Sequence, residues 1–489
     1  MTETMNDPPA PLGSVVTRGL GFSFLSQVVT RIAIFGSGVV LARLLSPADF
    51  GFYALALLVV AVLGAVNELG VIPAIVRWRG DVRTAAGTGV VMATVNSVAL
   101  FLAAWLAAPW FAALMDSPEA IGVIRLVAFT LVVDGLSSAS QALLHRDIAQ
   151  GRQALAETIG SVAYVAVAVS LAAGGEGAES IGWGRVVGSL VTGALFVWLA
   201  PFVPRPSFHP AVAKEMLAFG LPLAGSALVA EAILNVDYLV VGKALGAAAL
   251  GFYLLAFNLS NWPVSIISMS VQRVAFAGFV RIVEDKQALS GTFARAFGVA
   301  LTGVIPMVVI LAVLSPELVS VVYGKEWLPA VVAVRFLLVL GGLRVLMDLL
   351  FDLCAADGRS GLTLLIRLVW FVVLCPMLWW AVHLDGLRGA GIAHVAVAVV
   401  VVVPMLLYAA RRSGIHLNDL SRQLARPLTA GFASLVVMVT VNRFVEGDIR
   451  RLLILGSLGA AVYVLVLVPA NPLVAWTLQQ VGLTKRTGE

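Results

Sequence analysis

Apolar positions along this chain come in long runs, and polar positions gather in the short interruptions between them. An apolar run of about 20 residues is what a helix needs to cross the hydrocarbon of a bilayer. The pattern predicts about fourteen membrane-spanning helices, near 19–45, 50–76, 85–108, 118–143, 153–174, 178–203, 216–245, 250–280, 290–314, 328–355, 360–382, 386–410, 427–446 and 452–470. Met1 to Ser14 form a polar, Pro-bearing tail and the first apolar run has full helix length. No cleavable signal peptide is therefore expected, and the first span should stay in the mature protein.

The interruptions carry a duplication. Arg43-Leu44-Leu45-Ser46 through Gly51-Phe52-Tyr53-Ala54-Leu55-Ala56 recurs, at a shift of 200 residues, as Lys243-Ala244-Leu245-Gly246 through Gly251-Phe252-Tyr253-Leu254-Leu255-Ala256. Spans four and ten both open with an arginine, Arg125 and Arg335, and both lead into a Gly-Arg pair, Gly151-Arg152 and Gly358-Arg359. Six spans match six, inserted in the same orientation, and repeats of this kind are how alternating-access carriers place a cavity between two halves. The predicted fold is an all-α polytopic membrane protein with two pseudo-symmetric six-helix bundles, 15–203 and 216–410, followed by an appended helix pair at 427–476. A tail at 1–14, a linker at 204–215, a basic loop at 411–426 and a tail at 477–489 complete the expected organisation.

Composition agrees: 60% of residues are hydrophobic, 12% are charged and mean hydropathy is +0.99, too much apolar surface for a soluble fold to hide. The net charge of +5 does not imply nucleic acid, because the basic residues form no compact patch interleaved with exposed aromatics. With a cytoplasmic N-terminus, the inward segments hold seventeen basic residues and the outward segments seven, as the positive-inside rule requires; Arg443, Arg450 and Arg451 dissent locally. Both termini are therefore expected in the cytoplasm. Eight basic residues remain, and all fall within predicted spans.

Several segments carry a resemblance. Arg18-Gly19-Leu20, the turn from Leu41 through Ser46-Pro47-Ala48-Asp49 to Tyr53, the stretch Glu68-Leu69-Gly70-Val71-Ile72-Pro73 to Val76, and Ala142-Leu143-Leu144-His145-Arg146-Asp147 resemble the polysaccharide-transport flippases of Wzx type. These share a superfamily with the lipid II flippases and the multidrug and toxin extruders. The resemblance covers roughly residues 15 to 410 and is sharpest in the first 80. It implies an inverted-V bundle in the bacterial inner membrane that moves undecaprenyl-diphosphate-linked oligosaccharide from the cytoplasmic to the outer leaflet. It also implies membrane lipids as surroundings, and polysaccharide polymerase and export machinery as candidate partners.

Physical reasoning leads to a compatible place. A diphosphate and sugar hydroxyls cannot enter hydrocarbon without losing several kcal/mol per unsatisfied polar group, so a carrier must supply a polar, preferably cationic, cavity. Arginine suits this, because its planar fork binds phosphate oxygens bidentately and keeps its charge when partly buried. Arg125, Arg185 and Arg335 near the predicted outer boundary, and Arg273, Arg295 and Arg367 near the inner one, are either cavity residues or snorkelling anchors. Arg31 and Arg344 fall near the middle of spans one and ten and should face a wet cavity or a partner. Arg31, Arg273 and Arg344 are the candidate substrate contacts, since spans one and eight line the cavity and its lateral portal in the family the chain resembles.

Acidic residues complicate the charge pattern. Glu231 stands 200 residues beyond Arg31, and Arg344 stands 210 beyond Asp134, so charges are swapped between the halves. They are either ion pairs that form in one state and break in another, Arg31 with Glu231 first among them, or static pairs that only offset burial. Arg344, Asp348 and Asp352 share one helix face at i, i+4 and i+8. Asp348, and more weakly Asp237, are candidates for a coupling proton or Na⁺ site. No resident cofactor or metal is expected, because the five histidines and two cysteines show no ligand spacing. Gly184 and Gly188 make a small face on span six for packing within the molecule.

No phosphate-binding glycine loop, nucleophile elbow or paired-metal signature is present, so the chain is not expected to be an enzyme. A membrane polymerase or ligase would need a sizeable outward loop, and the longest expected here, Ser315 to Leu328, is short. A small-molecule antiporter on the same fold would favour an acidic or aromatic cavity over arginines.

Overall fold

The computed structural model describes residues 34–67, 69–261, 285–357 and 359–468. The elements among them are helices: α1 (Ile34–Leu44), α2 (Pro47–Asn67), α3 (Val71–Arg77), α4 (Val82–Leu114), α5 (Ala120–Arg146), α6 (Gln150–Ala173), α7 (Gly177–Leu199), α8 (Pro210–Leu245), α9 (Ala247–Asn261), α10 (Lys286–Val313), α11 (Ser315–Val322), α12 (Ala330–Ala356), α13 (Ser360–Val397), α14 (Val403–Arg412), α15 (Leu417–Asn442) and α16 (Asp448–Leu467). Among the described residues, 11 helical stretches are long and apolar enough to cross a membrane. One, Gly361–Arg412, holds two successive spans, broken where Asp385 leaves helical geometry (φ −141°) and Gly386 turns left-handed (φ 54°). With the apolar helices α1 and α9, the pattern of about fourteen spans is met. The chain divides into two compact units, Met1–Gly251 and Phe252–Glu489.

In the first unit α5 is central, packing against α2, α3, α4 and α7, while α6 lies along α7 and α8 along α2. Gly160, Gly184 and Gly188 bring α6 and α7 together: a Cβ on Gly184 would meet the Tyr164 carbonyl at 2.9 Å, and one on Gly188 the Gly160 carbonyl at 3.0 Å. The small face on span six is thus an intramolecular contact. Glycines also set the crossing of α2 with the start of α9. A Cβ on Gly51 would lie 1.8 Å from the Ala247 carbonyl oxygen, and one on Gly251 would lie 1.8 Å from the Pro47 carbonyl oxygen. Pro47 and Ala247, like Gly51 and Gly251, differ by the repeat shift, so the duplicated segments touch reciprocally, as surfaces about a local two-fold axis do.

The second expected span is not continuous. It breaks between α2 and α3, where Leu69 (φ 45°) and Gly70 (φ 68°) are left-handed. A Cβ on Gly70 would stand 2.5 Å from the Gly220 Cα, so the break falls where the chain passes closest to α8.

The repeat is also visible in helix bounds. α5 and α12 match at a shift of 210 at both ends, and Asp81 and Asp285 cap α4 and α10 in the same way, each side chain accepting from two first-turn amides. The Asp81 carboxyl is held below its ordinary value of 3.8 by the Thr84 hydroxyl first and then by the Arg83 and Thr84 amides. A depressed folded pKa means the cap contributes fully above that ordinary value and is lost as pH falls through the folded one. Wild type should therefore melt higher than the Asp81→Ala variant at neutral pH, and the gap should close on acidification below 3.8. A gap that does not change with pH would exclude the carboxylate as its source.

In the second unit α12 packs on α10, α13 and α14, and the appended pair docks through α15 on α10, with α16 on α15 and α11. Prolines explain three of the polar contacts. Proline cannot donate to the carbonyl four residues earlier, which must find another donor. Pro109 releases the Trp105 carbonyl, and Arg125 Nε donates to it at 3.2 Å. Pro316 releases the Ala312 carbonyl, and Arg335 Nε donates to it at 3.2 Å, the same device one repeat later. Pro306 releases the Thr302 carbonyl, which accepts from the Tyr463 hydroxyl of α16 at 3.1 Å. Arg125 and Arg335 thus each serve a carbonyl that a proline leaves without its helical donor. The expected outward loop Ser315 to Leu328 is itself helical, and its buried Glu317 pairs with Arg451 of α16 at 3.4 Å.

Candidate functional site

The first unit gathers polar side chains from four spans. Asp134 lies ~21 Å along α5 and Arg185 ~12 Å along α7, at 1.5 Å per residue. Ser189, one turn beyond Arg185 on the same face, donates to the Asp134 carboxylate at 2.8 Å. The electrostatic neighbours of Arg185 are Tyr53 of α2, Tyr164 of α6 and Asp134. Both charged residues keep exposed surface at these depths. A charge inside a span is costly unless it has a partner or water, and here Arg185 and Asp134 have each other.

The second unit has a matching group on α12 and α13. Arg344, ~21 Å along α12 at 1.5 Å per residue, lies over the Phe257 ring, 5.6 Å from its centroid. Arg367 lies over Phe351 at 4.5 Å. Asp348 has Arg344 and Arg367 as electrostatic neighbours, and Asp352 has Asp348 and Arg367. The Asp352 Oδ2 is buried without a hydrogen-bond partner among the described residues. In each unit the arginines inside the spans are matched by carboxylates, so each group taken by itself is balanced rather than cationic.

The repeat relates the two groups in detail. Asp134 and Arg344 occupy the same position in α5 and α12. Gly177 (φ 52°) and Gly386 (φ 54°) both start the sixth span of their half, and the ninth residue from each is Arg185 or His394. Tyr53 neighbours Arg185, and its counterpart Tyr253 places its hydroxyl 3.3 Å from His394 Nε2. A tyrosine on the second span thus has a basic side chain of the sixth in its neighbourhood in both halves. Sequence reasoning did not pick out Tyr53, Tyr164, Ser189 or His394 as partners, although Tyr53 and Tyr253 stand inside the duplicated segment.

The other sequence candidates are not brought into these groups. Glu231 accepts from Asn235 Nδ2 at 2.9 Å and lines a cavity of about 400 Å³ between α2 and α8, with Val60, Gly64, Gly70 and Ala224 around it. Asp237 is buried, its Oδ1 accepting from the Tyr238 amide at 3.0 Å. Arg31 and Arg273 lie outside the described residues, and with them the expected Arg31–Glu231 pair. Cys354 and Cys375 are free thiols. Among the described residues no group of His, Cys, Asp or Glu could hold a metal ion.

Comparison with known proteins places this geometry in a family. A family model described as polysaccharide biosynthesis protein matches residues 40–332. The lipopolysaccharide biosynthesis protein WzxC of Escherichia coli K12 is 25% identical over 345 residues, 68% of this chain and 69% of that one. The teichuronic acid biosynthesis protein TuaB of Bacillus subtilis is 24% identical over 390 residues, 77% of this chain and 79% of that one. Among solved structures, the lipid II flippase MurJ in an inward closed conformation superposes with a TM-score of 0.75 at 15% identity, over 94% of this chain and 99% of that one. The match over residues 40–332, more than half of the chain, makes it a member of the polysaccharide biosynthesis protein family, with the fold that MurJ shares.

Proposed function

We propose that the protein flips an undecaprenyl-diphosphate-linked oligosaccharide from the cytoplasmic to the outer leaflet of a bacterial inner membrane, by alternating access and with both termini in the cytoplasm. What supports this reading is the pair of repeat-related polar groups, each with an arginine beside carboxylates inside a span, where a charge needs a hydrated cavity or a partner. The names of WzxC, TuaB and MurJ support a lipid-linked saccharide as substrate. Arg344, with Arg31 and Arg273, would meet the diphosphate or an anionic sugar, and phosphate oxygens would compete with Asp348 for the guanidinium. Asp134, Glu231, Asp237 and Asp348 are the carboxylates open to a coupling proton or Na⁺. Polymerase and export machinery outside would consume the flipped product and make transport unidirectional.

Deleting the gene in its own host tests the reading. Surface polysaccharide should disappear while lipid-linked oligosaccharide accumulates in the inner leaflet, and the wild-type gene should reverse both, whereas Arg344→Ala should reverse neither. Normal polysaccharide together with lost efflux of a cationic small molecule would replace the flippase with the antiporter.

A further inference from the structure

The loop that follows α7 lies across the first two turns of α4. The Ser207 amide donates to the Gly87 carbonyl at 3.3 Å, and a Cβ on Gly87 would meet Ser207 Oγ at 2.3 Å and the Arg205 carbonyl at 2.6 Å. A cavity of about 530 Å³ opens beside this contact, lined by Arg83 and Thr84 of α4 and by Phe202, Val203, Arg205 and Ser207 of the loop. Two guanidinium groups from separate segments therefore share one concave surface with a hydroxyl, over an apolar floor. Arg83 is fixed over the Phe202 ring, 5.0 Å from its centroid, and neither arginine makes an ion pair among the described residues. The neighbouring carboxylate, Asp81, is occupied by the Arg83 and Thr84 amides and the Thr84 hydroxyl. The first-turn amides of α4 are likewise taken, so the site does not rest on a helix end.

We propose that this cavity binds a phosphate ester or phosphate ion between Arg83 and Arg205. Two planar forks suit a tetrahedral group with several acceptor oxygens, and the Ser207 hydroxyl adds a neutral donor. The cavity lies level with the start of α4, the end of α7 and the start of α8, the depth at which phospholipid headgroups carry their phosphates. Phe202 and the exposed Val203 offer the apolar contact that a lipid glycerol backbone brings with it. Occupancy would tie the loop joining α7 and α8 to α4. This goes beyond the transport reading and does not depend on it.

The test uses the full chain with Cys354→Ala and Cys375→Ala, carrying Ser207→Cys as a reporter, in nanodiscs of phosphatidylcholine with or without phosphatidylglycerol, and with sodium phosphate added to the neutral ones. The readout is the rate of maleimide modification. Phosphatidylglycerol should slow it about tenfold if the ligand is a headgroup, and sodium phosphate should do so if it is a free ion; either result supports the site. Adding Arg83→Gln and Arg205→Gln should abolish protection, whereas Arg83→Lys with Arg205→Lys, which keeps the charge and serves as the folding control, should leave it partial. No protection by either probe, or protection undiminished in the glutamine pair, overturns the proposal.

Discussion

Replacing Arg185 with alanine is expected to cut polysaccharide export at least about tenfold, the consequence of losing a single charge-assisted contact of ~1.4 kcal/mol in a step that limits transport. The substitution leaves Asp134 with Ser189 as its polar partner but without the neighbouring cation, at a depth where an uncompensated carboxylate is costly. Membrane level of the protein should fall as well. Arg185→Ala combined with Asp134→Asn should restore the level while export stays low, because the neutral pair removes the stranded charge without returning the fork. Arg185→Lys should recover the level and only part of the export. Wild-type export from the alanine variant would reduce the group around Arg185 to packing and take away the observation on which the transport reading stands.

The architecture was legible because hydrocarbon imposes one length and one polarity on every span, and because the duplicated turn survives almost letter for letter at Gly51-Phe52-Tyr53 and Gly251-Phe252-Tyr253. The swapped charges Asp134 and Arg344 were legible for the same reason, since α5 and α12 keep identical bounds under the shift. What one sequence cannot show is which face of a span meets which neighbour. Arg125, Arg185 and Arg335 look alike as arginines near an outer boundary. Yet two of them serve carbonyls released by Pro109 and Pro316, and the third has Asp134 and two tyrosines as electrostatic neighbours. The Leu69–Gly70 break was marked only by Asn67, Glu68, Gly70 and Pro73 inside an otherwise apolar run, too little to divide one expected span. Tyr253 and His394 stand where Tyr53 and Arg185 do, so the halves have kept a position and changed its chemistry.

The most damaging change to the fold should be the smallest one, Gly51→Ala. Its new methyl would have to occupy space 1.8 Å from the Ala247 carbonyl oxygen, and since that neighbour is backbone no rotamer relieves the overlap. Opening the crossing costs packing where α2 meets the start of α9, so destabilisation of about 3 kcal/mol or more is expected, the upper end for overpacking. Gly251→Ala meets the Pro47 carbonyl at the same distance and should cost about as much. Because both clashes lie in one reciprocal crossing, whichever comes first separates the segments for the other. The double variant should therefore lose clearly less than the sum, a coupling that independent sites do not show. Gly225 of α8 has open space where its Cβ would go, and Gly225→Ala should be neutral or stabilising by up to about 1 kcal/mol through helix propensity alone. Thermal unfolding of the four variants in detergent decides the matter. A Gly51→Ala protein that melts with the Gly225 control would mean that the duplicated turns do not approach each other in the folded chain.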